Sequence, residues 1–423
     1  MKNTLYTIIA LFICGIASGQ ETIIQVDQGP NYSQSVYLNL EDMDTTIVDF
    51  TTWDIAFSGS ARSVSILINE AAISGEGSSP IELYLTSSTN FDDVDISQVL
   101  DTLYNGDDSY SDGAFNQPAD TSNQFDFGWG EYNPATHFVV GTKIFIIKLR
   151  DASYKKIRID QYAGSQYTFT YADLNGEDLV TDSLDIADFE GKSLAYYSIR
   201  DQKTLDLEPE NWDLKFTRYI TSLLAEPGVY LDYHVVGTLT KPGVEVAVAS
   251  NIDPANVKFD DYIDSLTTDI DAIGHEWKYF DLNTFVYSIV ENQVFFVKTP
   301  KNEIYKIQFL DFEGSSTGIS TLKITYIETL TALAKPQEYI SQPSVFPNPA
   351  LGGQAKIKFH SDQFRQNARL LVHNSMGQQV YVRNVSITQG ENVHSLPHIS
   401  VPGLYYVILR TEDGVSTLRL INN

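Results

Sequence analysis

Apolar residues alternate with polar ones along most of the chain, and β-branched and aromatic types dominate the apolar positions. This pattern predicts strands at 63–68, 142–149, 155–159 and 166–171, and again at 232–240, 293–298, 304–310 and 321–327. Phe259 to Ile273 departs from it. There Tyr262, Ile263, Leu266, Ile270 and Ile273 recur at helical spacing, predicting one amphipathic helix in each half of the body. Asp101 to Gln124, rich in Asp, Ser, Asn and Gly, reads as a surface loop, and 173–191 as an acidic linker.

The strands fall into two series organised around one short stretch. Trp53-Asp54-Ile55-Ala56-Phe57 returns as Trp212-Asp213-Leu214-Lys215-Phe216. Upstream, Val36 to Leu40 answers Ala195 to Ile199. Downstream, Phe91-Asp92-Asp93 answers Phe259-Asp260-Asp261, and Trp129 with Tyr132 and Thr136 answers Trp277 with Tyr279 and Thr284. Ile144 to Lys148 then answers Val294 to Lys298, Lys156-Ile157 answers Lys306-Ile307, and Gly164 answers Gly314. The order is kept while the offset wanders between about 148 and 168, as expected of an old duplication with loop insertions. Two related β-rich domains in tandem, 21–172 and 192–330, are therefore expected. A linker at 331–343 then leads into a tail at 344–423.

Composition sharpens this picture. Of 423 residues, 43% are hydrophobic and 12% aromatic, enough for packed cores and too many for a disordered acidic chain. Net charge is -27, but from Pro336 onward there are seven basic and five acidic residues, so the body is far more acidic than the tail. An acidic body argues against nucleic acid as a partner, because phosphate binding needs clustered Lys and Arg. Residues 1–20 read as a secretory signal: Lys2, an apolar run from Leu5 to Ala17, then small residues. That run is short for a bilayer span, and no later stretch is long enough, so no transmembrane segment is expected. The single cysteine, Cys14, lies inside the signal and follows a bulky Ile13 where a lipid-attachment site wants a small residue. A mature chain without it has no disulfides, no cysteine nucleophile and no thiolate metal site.

The tail opens at Phe346-Pro347-Asn348-Pro349, an extended stretch fixed by its prolines. Strands follow at 355–359, 368–373 and 379–385, then a Pro402-Gly403 turn, a strand at 404–410, a turn at Asp413-Gly414 and a last strand at 415–421, predicting a small β-sandwich. With Leu371 to Val380 and Pro402 to Val407, these residues resemble the type A sorting domain of cargo of the Bacteroidetes type IX secretion system. The family more often ends in lysine, where this chain ends Leu420-Ile421-Asn422-Asn423. The resemblance implies the type IX machinery as a partner, export across the outer membrane, tail removal, and a secreted or cell-surface location.

The body resembles two HmuY-type domains, a β-rich family whose founding members bind haem outside Bacteroidetes cells. The first copy carries the likeness in Trp53 to Phe57, Trp129, Tyr132-Asn133, Thr136-His137, Ile144 to Arg150 and Tyr154 to Ile159. The second carries it in Trp212 to Phe216, Tyr233 to Gly237, Gly243 to Ala247 and Tyr305 to Ile307. The expected fold class is thus mainly β, with two tandem domains and a small C-terminal sandwich. The resemblance implies haem, or a haemoprotein, as the ligand.

Haem binding without cysteine needs His or Met as axial ligand over an apolar, aromatic-rimmed pocket. His137, His234 and His275 are the candidates, with Met43 beside them. No histidine pair recurs in both repeats, since Phe285 answers His137. A histidine hydrogen-bonded at a strand end is the plain alternative for each. The paired tryptophans suit stacking on sugar rings, but their recurrence in both copies favours core packing with a satisfied indole N–H. Asp107 to Gly113 and Asp173 to Asp178 resemble loose calcium loops yet lack the alternate-residue spacing and the closing glutamate, so no metal site is assigned. No nucleophile elbow, zinc-binding His-Glu-x-x-His or phosphate loop occurs, and no carboxylate pair stands out, so no catalysis is expected. Two functions stay open: a non-catalytic surface binding protein with haem as ligand, or a structural or adhesive module that kept the fold and lost the ligand. Deleting Pro343 to Asn423 should hold the body in the periplasm, and surface labelling of whole cells would show the truncated chain displayed if the tail is not the export signal.

Overall fold

The computed structural model describes residues 21–423 apart from 60–63, 72–79, 282, 330–339, 352–353, 375–378, 412–413 and 423. The expected signal 1–20 and most of the expected linker 331–343 lie outside the described residues. The chain is mainly β, and every helical element among the described residues is a 3-10 turn of three or four residues. Body and tail form separate compact units that divide after Thr329.

Among the described residues the body holds two large hydrophobic cores and a smaller cluster around Tyr37, Trp53, Tyr196 and Trp212. One gathers Ile55, Phe57, Trp129, Phe145, Phe169 and Tyr197 between an eight-stranded and a four-stranded sheet. The other gathers Val36, Leu38, Phe216, Trp277, Phe295 and Phe309 between a five-stranded and a second four-stranded sheet. Each fully buried Phe or Leu stabilises by about 1.5–3 kcal/mol, so these inward faces set the register of every strand.

The chain does not fill the cores in sequence order. Glu21–Asp27 runs antiparallel to Ile319–Thr329 along its whole length. Gln34–Leu38 pairs with the Leu214–Glu226 strand, and Leu194–Ser198 pairs with Ile55–Ser58. The expected division into 21–172 and 192–330 therefore does not coincide with the cores, because each half lends strands to the other.

Nor is 173–191 a free linker. Val180–Asp185 pairs with the Gln166–Asp173 strand, and Leu184, Ile186 and Phe189 are buried in the first core. The acidic residues hid an alternating strand, and one of them, Asp182, accepts a hydrogen bond from Tyr197 Oη at 2.7 Å.

The expected helix at 259–273 is also absent. Two 3-10 turns, Phe259–Asp261 and Ile263–Ser265, give way to extended chain. Thr267 exchanges backbone bonds with Val246, Thr240 N donates to Ile270 O, and Ile270 N donates to Asp108 O. Five aspartates and two threonines make this segment a poor helix former, and neighbouring strands offer partners that an isolated helix would lack. Its counterpart in the first half holds the turn Ile96–Gln98 and then the strand Val99–Leu103. The 101–124 loop is less superficial than expected, since Tyr110, Ala114 and Phe115 are buried.

The exchange is reciprocal. Leu38, Tyr37 and Val36 pair with Leu214, Lys215 and Phe216, while Tyr197, Tyr196 and Ala195 pair with Ile55, Ala56 and Phe57. At the junction Tyr37 and Tyr196, 159 residues apart, bond to each other through their hydroxyls at 2.8 Å. Tyr37 packs edge-on against Trp212 at 5.0 Å between ring centroids, and Tyr196 against Trp53 at 4.9 Å. The aspartates after these tryptophans do matching work. Asp54 accepts from Ile199 N and Asp213 from Leu40 N, both at 2.8 Å. The indoles are buried, as core packing requires; Trp212 donates to Glu208 at 2.9 Å and Trp129 to the Val64 carbonyl at 2.9 Å.

The tail is a seven-stranded unit around Ile357, Phe359, Leu370, Val372, Val407 and Leu409. Its expected strands are present, joined by Ile340–Leu351 and Gly390–Ser395. Asn348, between the two prolines, donates to Arg419 O at 2.7 Å and accepts from Ile421 N at 2.9 Å, tying the opening motif to the terminal strand.

Replacing Tyr37 or Tyr196 with Phe strands the other buried hydroxyl, so each single change should cost about 1–3 kcal/mol. The double variant should lose clearly less than the sum in urea unfolding, and strict additivity would refute the coupling.

Candidate functional site

Two short hairpins carry the exposed chemistry of the body. The first joins Gly130–Asn133 to Phe138–Gly141, and the second joins Lys278–Asp281 to Val286–Ile289. Each follows a buried tryptophan, and each tryptophan carbonyl takes the N–H at the far end of the hairpin, Thr142 to Trp129 and Val290 to Trp277, both at 3.0 Å. The turns match bond for bond. His137 N donates to Asn133 O and Phe285 N to Asp281 O, both at 2.8 Å, and His137 and Phe285 have φ of 62° and 57°. Asn133 and Asp281 side chains also accept from Ala135 N and Asn283 N. Such Asx turns tolerate the left-handed residue that closes them.

The hairpins differ in how they meet the sheet. In the first, Val139 and Val140 pair with Tyr162 and Gln161 of the Tyr154–Ala163 strand. The second pairs with no other strand among the described residues.

On the first hairpin the exposed His137 Nδ1 lies 2.7 Å from Tyr132 Oη. Phe125 stacks on Tyr132 at 5.8 Å, and Phe138 and Val140 are exposed nearby. Engaging Nδ1 leaves Nε2 as the ring atom facing outward, the arrangement that fixes a ligating histidine. On the second hairpin the register sets Phe280, not the Tyr279 expected from the repeat, in place of Tyr132, and Phe285 in place of His137, with ring centroids 6.3 Å apart.

The other two candidate histidines occupy different surroundings. His234 is half-buried on the Val229–Thr240 strand, where burial and then the Arg218 charge hold its pKa below the usual value. Its Nε2 is buried without a hydrogen bond. His275 is half-buried beside Gly274, and burial, then Lys278, lowers it too. Among the described residues the three histidines share no side-chain hydrogen-bond partner. Met43 packs against the second core. Among the described residues no group of three or more His, Cys, Asp or Glu is placed to hold a metal ion.

A polar cluster that the strand pattern did not reveal lies where the halves meet. Glu70 accepts from Asn105 N of one half and Ile220 N of the other, and burial pushes its carboxyl up to about 8. Lys215 is 7% exposed, with Nζ 5.2 Å from the Tyr37 ring centroid, and burial brings its amine down to about 8. Both residues line a cavity of about 60 Å³ together with Phe50, Trp53, Tyr110 and Leu239. Its volume suits a few water molecules and nothing larger. In the repeat Ala56 stands where Lys215 does, so the lysine breaks the reciprocity of the junction.

These features define a β-rich protein with paired, exchanged cores and a separate C-terminal β unit. Residues 31–175 match the family model described as HmuY protein, and residues 344–423 match the secretion system C-terminal sorting domain. The tail is thus a type IX sorting domain, and the protein is exported to the cell surface or the extracellular space. The HmuY match stops before Leu194–Ser198, the strand that completes the first core. No curated protein matches the chain. Among solved structures, apo PinO from Porphyromonas gingivitis is 10% identical, with 73% of this chain and 98% of that chain covered and a TM-score of 0.27. Escherichia coli alpha-2-macroglobulin activated by porcine elastase is 10% identical, with 95% and 44% covered and a TM-score of 0.16. At these scores neither constrains the fold. No helix among the described residues is long and apolar enough to cross a membrane.

Lys215 carries a burial penalty at neutral pH. Its folded pKa of about 8 lies below the ordinary 10.5, so the unfolded chain binds more protons between those values and stability rises with pH across that window. Lys215→Met should stabilise the body at pH 7 by about 1–3 kcal/mol and remove that share of the rise. Urea unfolding at pH 7 and 10 measures both, and a variant less stable at pH 7 would contradict the penalty.

Proposed function

We propose that this protein is a non-catalytic binding protein of the cell surface or its surroundings, and that the first hairpin presents His137 to haem iron. The observation that carries this reading is the Tyr132–His137 pair, which holds the ring at Nδ1 and leaves Nε2 outward on an exposed turn. Phe125, Tyr132 and Phe138 supply aromatic surface for a porphyrin face. His234 and His275 fit the role less well, because both rings are partly buried and neither lies on this hairpin. The HmuY match covers the hairpin, which supports haem, or a haemoprotein, as the ligand.

The second half is, in this reading, a diverged second HmuY-like domain. Its junction contacts and hairpin turn repeat those of the first half, while Phe285 replaces the ligand. That replacement favours an adhesive or structural role for the second half even where the first binds haem.

Haemin titrated into the mature chain should give a saturable Soret band. His137→Ala should weaken binding by at least about tenfold, and Tyr132→Phe by less, since it loosens the ring without removing the ligand. Unchanged binding in His137→Ala, with loss in His234→Ala or His275→Ala, would move the site. A flat titration of the parent chain would leave the adhesive role.

A further inference from the structure

The two hairpins differ at the cross-strand pair that follows the tryptophan. In the first, Gly130 faces Gly141. A Cβ at Gly141 would lie 1.8 Å from Ile159 O, so only glycine lets this strand settle against the sheet. In the second the matching pair is Lys278 with Ile289. Lys278 is buried with Nζ on Val236 O at 2.6 Å, and Ile289 brings the bulk that Gly141 avoids. The second hairpin accordingly makes no ladder with the Glu303–Phe312 strand, and an open groove of about 1010 Å³ lies beside it.

The lining has a consistent chemistry. Tyr279 and Tyr287 offer aromatic surface, and Tyr279 is 56% exposed. Asn251, Asn292 and Gln308 supply side-chain amides that make no hydrogen bond among the described residues, and Glu291 adds an acceptor. The lining contains no Lys, Arg or His. Amides donate and accept together, which suits hydroxyl groups, and aromatic rings pack on the apolar faces of sugar rings. Without a cation, and with carboxylates present, the groove disfavours phosphates, carboxylated ligands and the propionates of haem.

We propose that this groove binds a neutral oligosaccharide. The assignment is independent of haem binding at His137, because it uses the other hairpin and other chemistry. It gives the second half a ligand of its own, admitted where Ile289 stands in place of a glycine.

Calorimetric titration of the mature full-length chain with xylohexaose, cellohexaose, maltohexaose and chitohexaose tests it, with hexagalacturonate as the anionic control. At least one neutral hexasaccharide should bind with a Kd of about 1 mM or tighter, and hexagalacturonate at least about tenfold more weakly. Tyr279→Ala should lower the neutral affinity at least about tenfold, Gln308→Ala should lower it severalfold, and His137→Ala should leave it unchanged. Tyr279 is exposed, so far-UV circular dichroism should show its variant folded; if it is not, Gln308→Ala decides. Absence of binding by all four neutral sugars, equal binding of hexagalacturonate, or affinity that survives both groove variants would overturn the proposal.

Discussion

The body depends on a reciprocal loan of strands, closed by the Tyr37–Tyr196 hydrogen bond and the two tryptophans that pack against those rings. Neither core is complete without a strand from the other half, so the halves cannot part without exposing Val36 and Leu38 on one side and Ala195 and Tyr197 on the other. The Trp-Asp stretch recurs because both residues serve this closure. The indole fills the junction, and the carboxylate satisfies backbone N–H groups that enter from the partner half.

A rigid paired frame frees its periphery to diverge. The hairpin turns keep the same backbone bonds, yet one carries a Tyr–His pair and the other two phenylalanines. One pairs with its sheet beside two glycines, and the other, with Lys278 and Ile289 in their place, packs Tyr287 on Phe312 without a backbone ladder. Function can therefore differ between the halves while the core pattern stays the same, because hairpin tips bear few packing constraints.

Several features could be read directly from the residues. Most strands, the burial of the tryptophans and the order of strands along the tail all follow from period-two alternation and aromatic spacing. The Phe259–Ile273 segment misled because an apolar period near 3.6 can also arise by chance in extended chain, and the backbone there takes its hydrogen bonds from strands remote in sequence. The strand at 180–185 was hidden because Asp182 stands on the same face as Val180 and Leu184, where it accepts from Tyr197. His137 was visible as a candidate, but its tyrosine partner gained meaning only once the turn brought Tyr132 Oη to its Nδ1.

The sequence by itself determined the class of structure and the residue types able to meet a ligand, because local alternation and composition are written along the chain, and the motifs of the tail pointed to a sorting domain by resemblance. Only the tertiary structure decided which half completes which core, since partner choice between equivalent strands depends on contacts more than 150 residues apart. It also decided that Glu70 and Lys215 line one small cavity and that one hairpin makes no ladder with its sheet. Burial and close backbone approach are properties of neighbours in space, and no single strand's pattern records them.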